Sequence, residues 1–464
     1  MHILEKVMNC KKILFFLSLL SFIFVADAFA AQTEWEVPFF AGDLQLEGRV
    51  AVVLGAGPAG LLAAKAILHS NQHDYVIIVE RRRTFSRFNL VNFFPESWPI
   101  LTDLGVAQVF RGASKRIEKF DFYFKNSAGQ TNRLTKEPVP SPEYFNYRDS
   151  VKKIFLNPLI GFDVINLAEL QYELANKLTA NQKVRIIRGT GVVSSSAGDD
   201  SLHTIEIRRQ TGESSGDTTN HKLRPDLIVI AEGAHSDNRS SVGIQMRKVL
   251  ETQRWCSGSV SLASVKDHIF EKLLKVIDKG GQPSVRTFGI FNARDNELFL
   301  NGVANEGEEH DACLKRNAFE LIWHACTSTG YFPFSLIADR LEIIRKAQNQ
   351  NIIEITPSKA SRFYSGTNVI ITGDAAGNGS PHGGIGLSLV TTVYAQALLD
   401  LLEAWQETDR DQALIKYNQR VSEIVDYWHA RMQLDSRLVL QKSWQVKFAD
   451  FLDNSINPCD ACGI

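Results

Sequence analysis

The chain has 464 residues, enough for two or three domains with sizeable cores. Its 51 basic residues nearly balance its 52 acidic residues, and no basic patch dominates, so nothing in the charge favours nucleic acid as a partner. With 44% hydrophobic and 10% aromatic residues, the composition is ordinary for a globular enzyme.

The N-terminus has the pattern of a signal peptide. Lysines precede an apolar run of 14 residues (13–26), which is short for a membrane span. Ala28-Phe-Ala30 then offers small residues at a cleavage site. We predict a signal peptide over residues 1–30 and export of a chain that begins near Ala31, to the periplasm or beyond. An uncleaved membrane anchor is the alternative, and a cytoplasmic location follows if the signal prediction is wrong.

The next elements predict a dinucleotide site. An apolar, β-branched strand is expected at 49–54, followed by the turn Gly55-Ala-Gly57-Pro58-Ala59-Gly60 and a helix over Ala59–Leu68. Glycines at this spacing permit a tight turn, close approach of the backbone to a pyrophosphate, and close helix–strand packing. A second apolar strand, Tyr75–Val79, ends at Glu80, where a carboxylate can bind a ribose. The alternative is a glycine-rich turn in another kind of α/β protein.

Two later segments narrow the prediction to FAD. One is Asp226–Arg239, an apolar strand followed by Glu232-Gly233. The other runs from Gly373-Asp374 to the loop Pro381-His382-Gly-Gly384-Ile385-Gly386. One glycine motif alone is weak evidence, but three segments in this order predict one bound FAD.

Together the three segments resemble the single-component (group A) FAD monooxygenases typified by p-hydroxybenzoate hydroxylase, over about residues 47–405. The resemblance implies that the first glycines hold the pyrophosphate, that Glu80 holds the adenosine ribose, and that Asp374 binds the ribityl chain. It also places Pro381, Gly384 and Gly386 against the isoalloxazine. The full set of expected cofactor-binding residues is Gly55, Gly57, Pro58, Ala59, Gly60, Glu80, Arg81, Arg87, Gly373, Asp374, Pro381, Gly384, Ile385 and Gly386.

The expected fold class is α/β, with a Rossmann-like FAD-binding domain built on a parallel sheet, a β-sheet substrate domain interleaved with it, and a C-terminal helical tail. The FAD-binding domain is expected at 46–115, 155–245 and 355–405, the substrate domain at 116–154 and 246–354, and the tail at 406–464. Hairpins are expected from about 117 and over 284–304, and helices over about 387–405 and 411–452.

The activity implied is oxygenation of an aromatic or hydrophobic small molecule by O2, with NADPH or NADH as a transient co-substrate. Two alternatives stay open: a flavin-dependent reductase or oxidase of the same fold, and an exported flavoprotein that acts on or binds another protein. No catalytic side chain is assigned; His382 could contact substrate or face solvent.

The chain departs from the family pattern in four places, one of which is a pair of residues. Glu232 stands where Asp is usual, Ser388 where Asn is usual, and Val393-Tyr394 where Asp-Ala is usual. The predicted helical stretch Ile165–Gln171 lacks an arginine near Leu167. These departures leave the glycines and Asp374 intact, so they bear on NADPH use and oxygenation more than on FAD binding.

A weaker local similarity links Val79–Trp98 to the flavoprotein domain of the MICAL proteins, with a basic loop over the adenosine as the alternative. Arg87 and Asn89 in this stretch are candidate flavin or substrate contacts. Cleavage after residue 30 would leave five cysteines, an odd number, so at least one thiol is free or intermolecular. Cys459-Asp-Ala-Cys462 suggests a disulfide more than a zinc half-site or a redox pair, and no metal site is predicted.

Overall fold

A computed structural model describes residues 35–438 except 43, 45, 87–89, 94–96, 118–119, 126–130, 137–161, 196–201, 211–217, 262–272, 279–283, 293–296, 330–341, 345–351, 380–385 and 408. The chain divides into two units, residues 1–35 and 36–464, and every element below belongs to the second.

The strands, in chain order, are β1 Val50–Leu54, β2 Tyr75–Glu80, β3 Leu90–Phe93, β4 Ser114–Ile117, β5 Phe120–Lys125, β6 Thr131–Lys136, β7 Phe162–Asn166, β8 Val184–Ser195, β9 His203–Gln210, β10 Thr218–Leu223, β11 Leu227–Ile230, β12 Met246–Lys248, β13 Gln253–Ser261, β14 Leu273–Asp278, β15 Ser284–Asn292, β16 Glu297–Val303, β17 Glu342–Ile344, β18 Ile353–Ile355, β19 Ser358–Ala360, β20 Tyr364–Ser365, β21 Val369–Ile371 and β22 Gly377–Asn378. The helices are α1 Pro58–Ser70, α2 Trp98–Asp103, α3 Ala107–Ala113, α4 Leu167–Thr179, α5 Asp237–Ser241, α6 His310–Thr329, α7 Gly386–Leu389, α8 Ala395–Glu407 and α9 Arg410–Leu438. A π-helical turn, Val390–Tyr394, joins α7 to α8, and Gly373–Ala375 forms a 3-10 turn.

The central sheet has the strand order β10-β9-β8-β2-β1-β11-β21-β20. Its middle, from β8 through β2, β1 and β11 to β21, is parallel. All residues of β1 and β11 are buried. Such continuous apolar runs are typical of parallel strands covered on both faces. The predicted α/β fold class is confirmed, and the first two predicted strands are found within one residue of their expected bounds.

Helix α1 covers this sheet through small and apolar residues, as its sequence predicts. Its buried positions include Gly60, Ala63 and Ala64, which allow the helix to lie close to the strands. Helix α4 begins two residues later than expected, because Asn166 ends β7 and caps the helix. The Asn166 side-chain oxygen accepts from the backbone N–H groups of Ala168 and Glu169.

A second sheet has the order β17-β13-β16-β15-β14-β5-β6, with β18 also pairing β13. Both predicted hairpins are present: β5 pairs β6, and β15 pairs β16, each in antiparallel register. Helix α6 packs on this sheet and is joined to β13 by a Cys256–Cys313 disulfide, a pairing that the sequence left open.

Small sheets of order β12-β19-β22 and β3-β7-β4 complete the described strands. The predicted C-terminal helices are found at 386–407, interrupted by the π-helical turn, and at 410–438; the rest of the predicted tail lies outside the described residues. Residues Gly386–Gln406 are long and apolar enough to cross a membrane, but 72% of the window is buried inside the protein, as expected for a core helix.

Candidate flavin site

The three sequence segments meet at one edge of the central sheet. Each follows the carboxyl end of a strand, and the strands β1, β11 and β21 are adjacent and parallel. Backbone hydrogen bonds continue the pairing past the strand ends, from Ala231 N to Leu54 O at 2.9 Å and from Thr372 N to Ile230 O at 3.0 Å. The carboxyl edge of a parallel sheet is where ligands bind in such folds.

Close backbone packing explains several of the motif glycines. Gly55 has a φ of +98°, and a Cβ there would lie 2.7 Å from the carbonyl oxygen of Ala231, in the second segment. A Cβ on Gly373, whose φ is +61°, would lie 2.6 Å from Ala59 Cβ, in the first segment. Both φ values belong to the left-handed region that favours glycine. The glycines therefore let the segments approach one another.

Gly57 differs from the other motif glycines. Apart from its chain neighbours, no heavy atom of the described residues lies within 4 Å of the position that its Cβ would take, so it faces open space. It is the N-cap residue of α1, and Pro58 occupies the first turn. Within the described ranges, no side-chain hydrogen bond caps that helix end. An open helix N-terminus favours an anionic group through its N–H groups and dipole. This place fits the pyrophosphate of FAD.

Glu80 lies buried at the end of β2. Its Oε2 accepts from the backbone N–H of Ala56 at 2.8 Å, and its Oε1 accepts from Arg82 N at 2.9 Å and Arg82 Nε at 3.1 Å. Burial acts to raise the pKa of Glu80, but the charge and hydrogen bonds of Arg82 and the bond from Ala56 outweigh it and hold the pKa below its ordinary value. The carboxylate thus supports the glycine turn, while its ribose role stays a prediction. Arg81 is exposed.

The second segment is held by its own polar groups. The Glu232 carboxylate accepts from Ser236 Oγ at 2.6 Å and from Asn238 Nδ2 at 3.0 Å, and Ser236 Oγ caps α5. Arg239 is buried, and its guanidinium donates to Ala234 O at 3.0 Å and to Ala375 O at 3.2 Å. Arg239 therefore joins the second segment to the third, a role that the sequence motif did not reveal.

In the third segment, Asp374 is exposed although Gly373 and Ala375 on either side are buried. An exposed carboxylate at the carboxyl edge of the sheet is suited to accept hydrogen bonds from a ribityl chain. Gly386 is also exposed, and no atom in the described part of the chain, its neighbours in sequence aside, lies within 4 Å of its Cβ position. The other expected residues of the loop (Pro381, His382, Gly384 and Ile385), and Arg87 with Asn89, lie outside the described residues.

The departures at Ser388 and Val393-Tyr394 fall on α7 and the π-helical turn. The Tyr394 side chain is buried, and within the described residues its hydroxyl has no hydrogen-bond partner. Burial raises its pKa well above the ordinary value, and the nearby Tyr417 and Asp374 raise it further. Tyr394 is therefore a neutral phenol near Asp374. π-helical turns are frequent at functional sites.

Gln171 is a site residue that sequence reasoning missed. It is 1% exposed on α4, and its Nε2 donates to the carbonyl oxygen of Ala56, inside the glycine turn, at 3.0 Å. The sequence feature that could have indicated Gln171 is a polar residue on the otherwise apolar face of α4. Elsewhere in the described ranges, no group of three or more His, Cys, Asp or Glu side chains is placed to hold a metal ion.

Comparison with known proteins agrees with this geometry. The family model described as FAD binding domain matches residues 47–324, well over half of the chain. The chain belongs to this family. It is an FAD-dependent oxidoreductase, and the predicted group A membership is confirmed. A comparison with curated proteins gives no significant match.

Solved structures share the fold over most of their length. p-Nitrophenol 4-monooxygenase PnpA from Pseudomonas putida is 17% identical, with 88% of this chain and 94% of that chain covered and a TM-score of 0.62. PqsL from P. aeruginosa, solved in complex with 2-aminobenzoylacetate, is 19% identical, with 84% and 98% covered and a TM-score of 0.56. The tetrameric form of 2-methyl-3-hydroxypyridine-5-carboxylic acid oxygenase is 17% identical, with 86% and 94% covered and a TM-score of 0.58.

Proposed function

We propose that this protein is an FAD-dependent monooxygenase that uses NADPH or NADH and O2 to oxygenate an aromatic or otherwise hydrophobic small molecule. The observation that carries the proposal is the meeting of the three segments at one sheet edge, in a chain of which 88% is covered by the likeness to p-nitrophenol 4-monooxygenase. The named neighbours act on aromatic rings, which supports the substrate class.

The chain's own residues have the tasks of binding and positioning. The open N-terminus of α1 at Gly57 would hold the pyrophosphate, and Asp374 would accept a hydrogen bond from a ribityl hydroxyl. Glu80, Gln171 and Arg239 hold the turns that carry these groups. When bound, FAD would supply the redox chemistry: a hydride from NAD(P)H and one proton from solvent let one atom of O2 enter the substrate while the other leaves as water.

Isotope labelling tests the proposal. Purified holoprotein would be mixed with NADPH or NADH, candidate phenols and ¹⁸O2, and the products analysed by mass spectrometry. We expect substrate-dependent NAD(P)H oxidation and one ¹⁸O atom in the product. Substrate conversion without the label would instead assign the reductase or oxidase alternative, and no conversion with any member of a broad aromatic panel would count against the substrate class.

We also propose that the protein is exported. The apolar run 13–26 supports this, and so does the Cys256–Cys313 disulfide, because disulfides persist in oxidising compartments. Export would place FAD binding outside the cytoplasm. The isotope-labelling assay can identify the electron donor used there, because it can compare artificial two-electron donors with NADPH and NADH.

A further inference from the structure

The C-terminal helix α9 lies beside the backbone that carries Asp374 and contacts that backbone before and after Asp374. The Tyr417 hydroxyl donates to the carbonyl oxygen of Ile371 at 3.0 Å, two residues before Gly373. His429 Nε2 lies 3.2 Å from the carbonyl oxygen of Asn378, four residues after Asp374. The two contacts therefore lie on either side of Asp374 in the sequence.

Further contacts hold α9 in this place. Lys359 Nζ donates to Asp426 Oδ1 at 2.5 Å and to Ser422 Oγ at 2.9 Å, and Asn418 Oδ1 accepts from the backbone N–H of Phe363 at 2.9 Å. Residues spaced by three or four lie on one face of a helix, and these contacts follow that spacing.

The packing between α9 and the third segment is also tight. A Cβ on Gly377 would lie 3.3 Å from Val425 Cγ1, so the helix touches the backbone directly next to Asn378. The Asn378 side chain is fixed in turn, because its Oδ1 accepts from Ser358 N at 3.0 Å and from Ser358 Oγ at 2.7 Å. The residue contacted by His429 is therefore held from two directions.

Both bracketing side chains are buried, Tyr417 at 2% exposure and His429 at 4%. Burial lowers the pKa of His429, so it is neutral at pH 7, and a neutral imidazole facing a carbonyl oxygen must carry its proton on Nε2. A buried backbone carbonyl without a hydrogen-bond donor costs free energy. Each carbonyl is therefore expected to stay where the side chain of Tyr417 or His429 can donate to it.

We propose that Tyr417 and His429 are positioning residues of the flavin site. They fix the carbonyl groups of Ile371 and Asn378, and thereby the placement of the Asp374 carboxylate between them. The C-terminal helix thus sets part of the affinity for FAD. The inference concerns FAD binding and does not depend on oxygenation, so it can hold or fail separately from the proposed reaction.

The experiment measures FAD binding to the apoprotein by flavin fluorescence titration, with no nucleotide or substrate present. The variants are Tyr417→Phe, which removes one hydroxyl, His429→Leu, which removes the donor, and His429→Gln, whose side-chain amide can replace it. Gln419→Ala and Lys416→Ala change exposed positions of the same helix and serve as controls.

Tyr417→Phe and His429→Leu should each raise the Kd for FAD about three- to tenfold, the effect of one lost hydrogen bond. His429→Gln should stay within about twofold of the parent by the same reasoning, and the controls should bind like the parent. If these side chains only stabilised the fold, Tyr417→Phe and His429→Leu would lower the thermal midpoint but leave the Kd for FAD unchanged. Parental Kd values in the folded variants would therefore overturn the proposal.

A double-mutant cycle ties the effect to the carboxylate. In an Asp374→Ala background, Tyr417→Phe should no longer weaken FAD binding, because the group that it positions is gone. Fully additive losses would show that Tyr417 acts elsewhere and would overturn the proposal for that residue. If His429→Leu does not fold, the Tyr417→Phe cycle and His429→Gln still decide the outcome.

Discussion

Replacing two glycines of the same turn should separate folding from FAD binding. Gly57→Ala adds a methyl group in open space, at an N-cap position with φ −68° and ψ 171° that any residue adopts. Gly60→Ala adds the same group 1.9 Å from the carbonyl oxygen of Gly55. Both substitutions change only one carbon atom, so a difference between them reports the surroundings of each position.

The expected magnitudes follow from those surroundings. The Cβ of Gly60→Ala must move by about 1.5 Å to reach an ordinary contact, which shifts the start of α1 and should cost about 1–3 kcal/mol in the free energy of unfolding. Gly57→Ala should cost less than about 1 kcal/mol, the usual scale of an N-cap change. Its methyl group, however, would occupy the place assigned to the pyrophosphate. Loss of one charge-assisted hydrogen bond there, about 1.5–3 kcal/mol, would weaken FAD binding about ten- to a hundredfold.

The assay combines urea unfolding of the apoproteins with FAD titration. Gly112→Ala, which also faces open space but on α3, is the matched control and should leave FAD binding unchanged. If Gly57→Ala binds FAD like the parent, the pyrophosphate does not lie at this helix end. If Gly60→Ala is as stable as the parent, the close contact with Gly55 does not constrain the turn.

Asp374→Ala should weaken FAD binding about ten- to a hundredfold while the far-UV circular dichroism stays parental, and unchanged affinity would remove Asp374 from the site. Burial lowers the pKa of His73 to about 4. Between that value and pH 6.5, the His73 imidazole is therefore protonated in the unfolded chain but neutral in the folded chain. Stability should therefore fall by up to about 3 kcal/mol between pH 6.5 and 4. His73→Asn should reduce that pH dependence in urea unfolding, and an identical dependence would contradict the assignment. Mass spectrometry of the native protein, alkylated before reduction, should find a chain that begins near Ala31 with Cys256 and Cys313 protected; a full-length chain with both alkylated would contradict export.

The elements that local patterns specify were predictable from the sequence. A window of about thirty residues is enough to predict the glycine turn, the apolar strand before it and Glu80 at the end of the next strand. This is because strand and helix periodicity are local properties of a sequence. The two hairpins were predictable for the same reason, since alternation and turn residues lie side by side in the chain.

The contacts that assemble the site could not be read in this way. Arg239 reaches Ala375 across 136 positions and Gln171 reaches Ala56 across 115, and no local spacing encodes either pair. The π-helical turn that ends at Tyr394 carries no recognised sequence signal either. Five cysteines left several pairings open, and only the packing of α6 on β13 brings Cys256 and Cys313 together.

Glu232 shows what its departure from the family pattern does in this chain. Its carboxylate accepts from Ser236 and Asn238 within its own segment, and Asn238 in turn donates to Gly191 O and accepts from Val193 N on β8. The longer side chain is therefore part of a network that fixes the turn to the central sheet. Arg239, one residue beyond Asn238, then carries that fixed position to the Asp374 turn. The polar groups of the second segment thus serve to place the third, so a glutamate here is compatible with an intact FAD site.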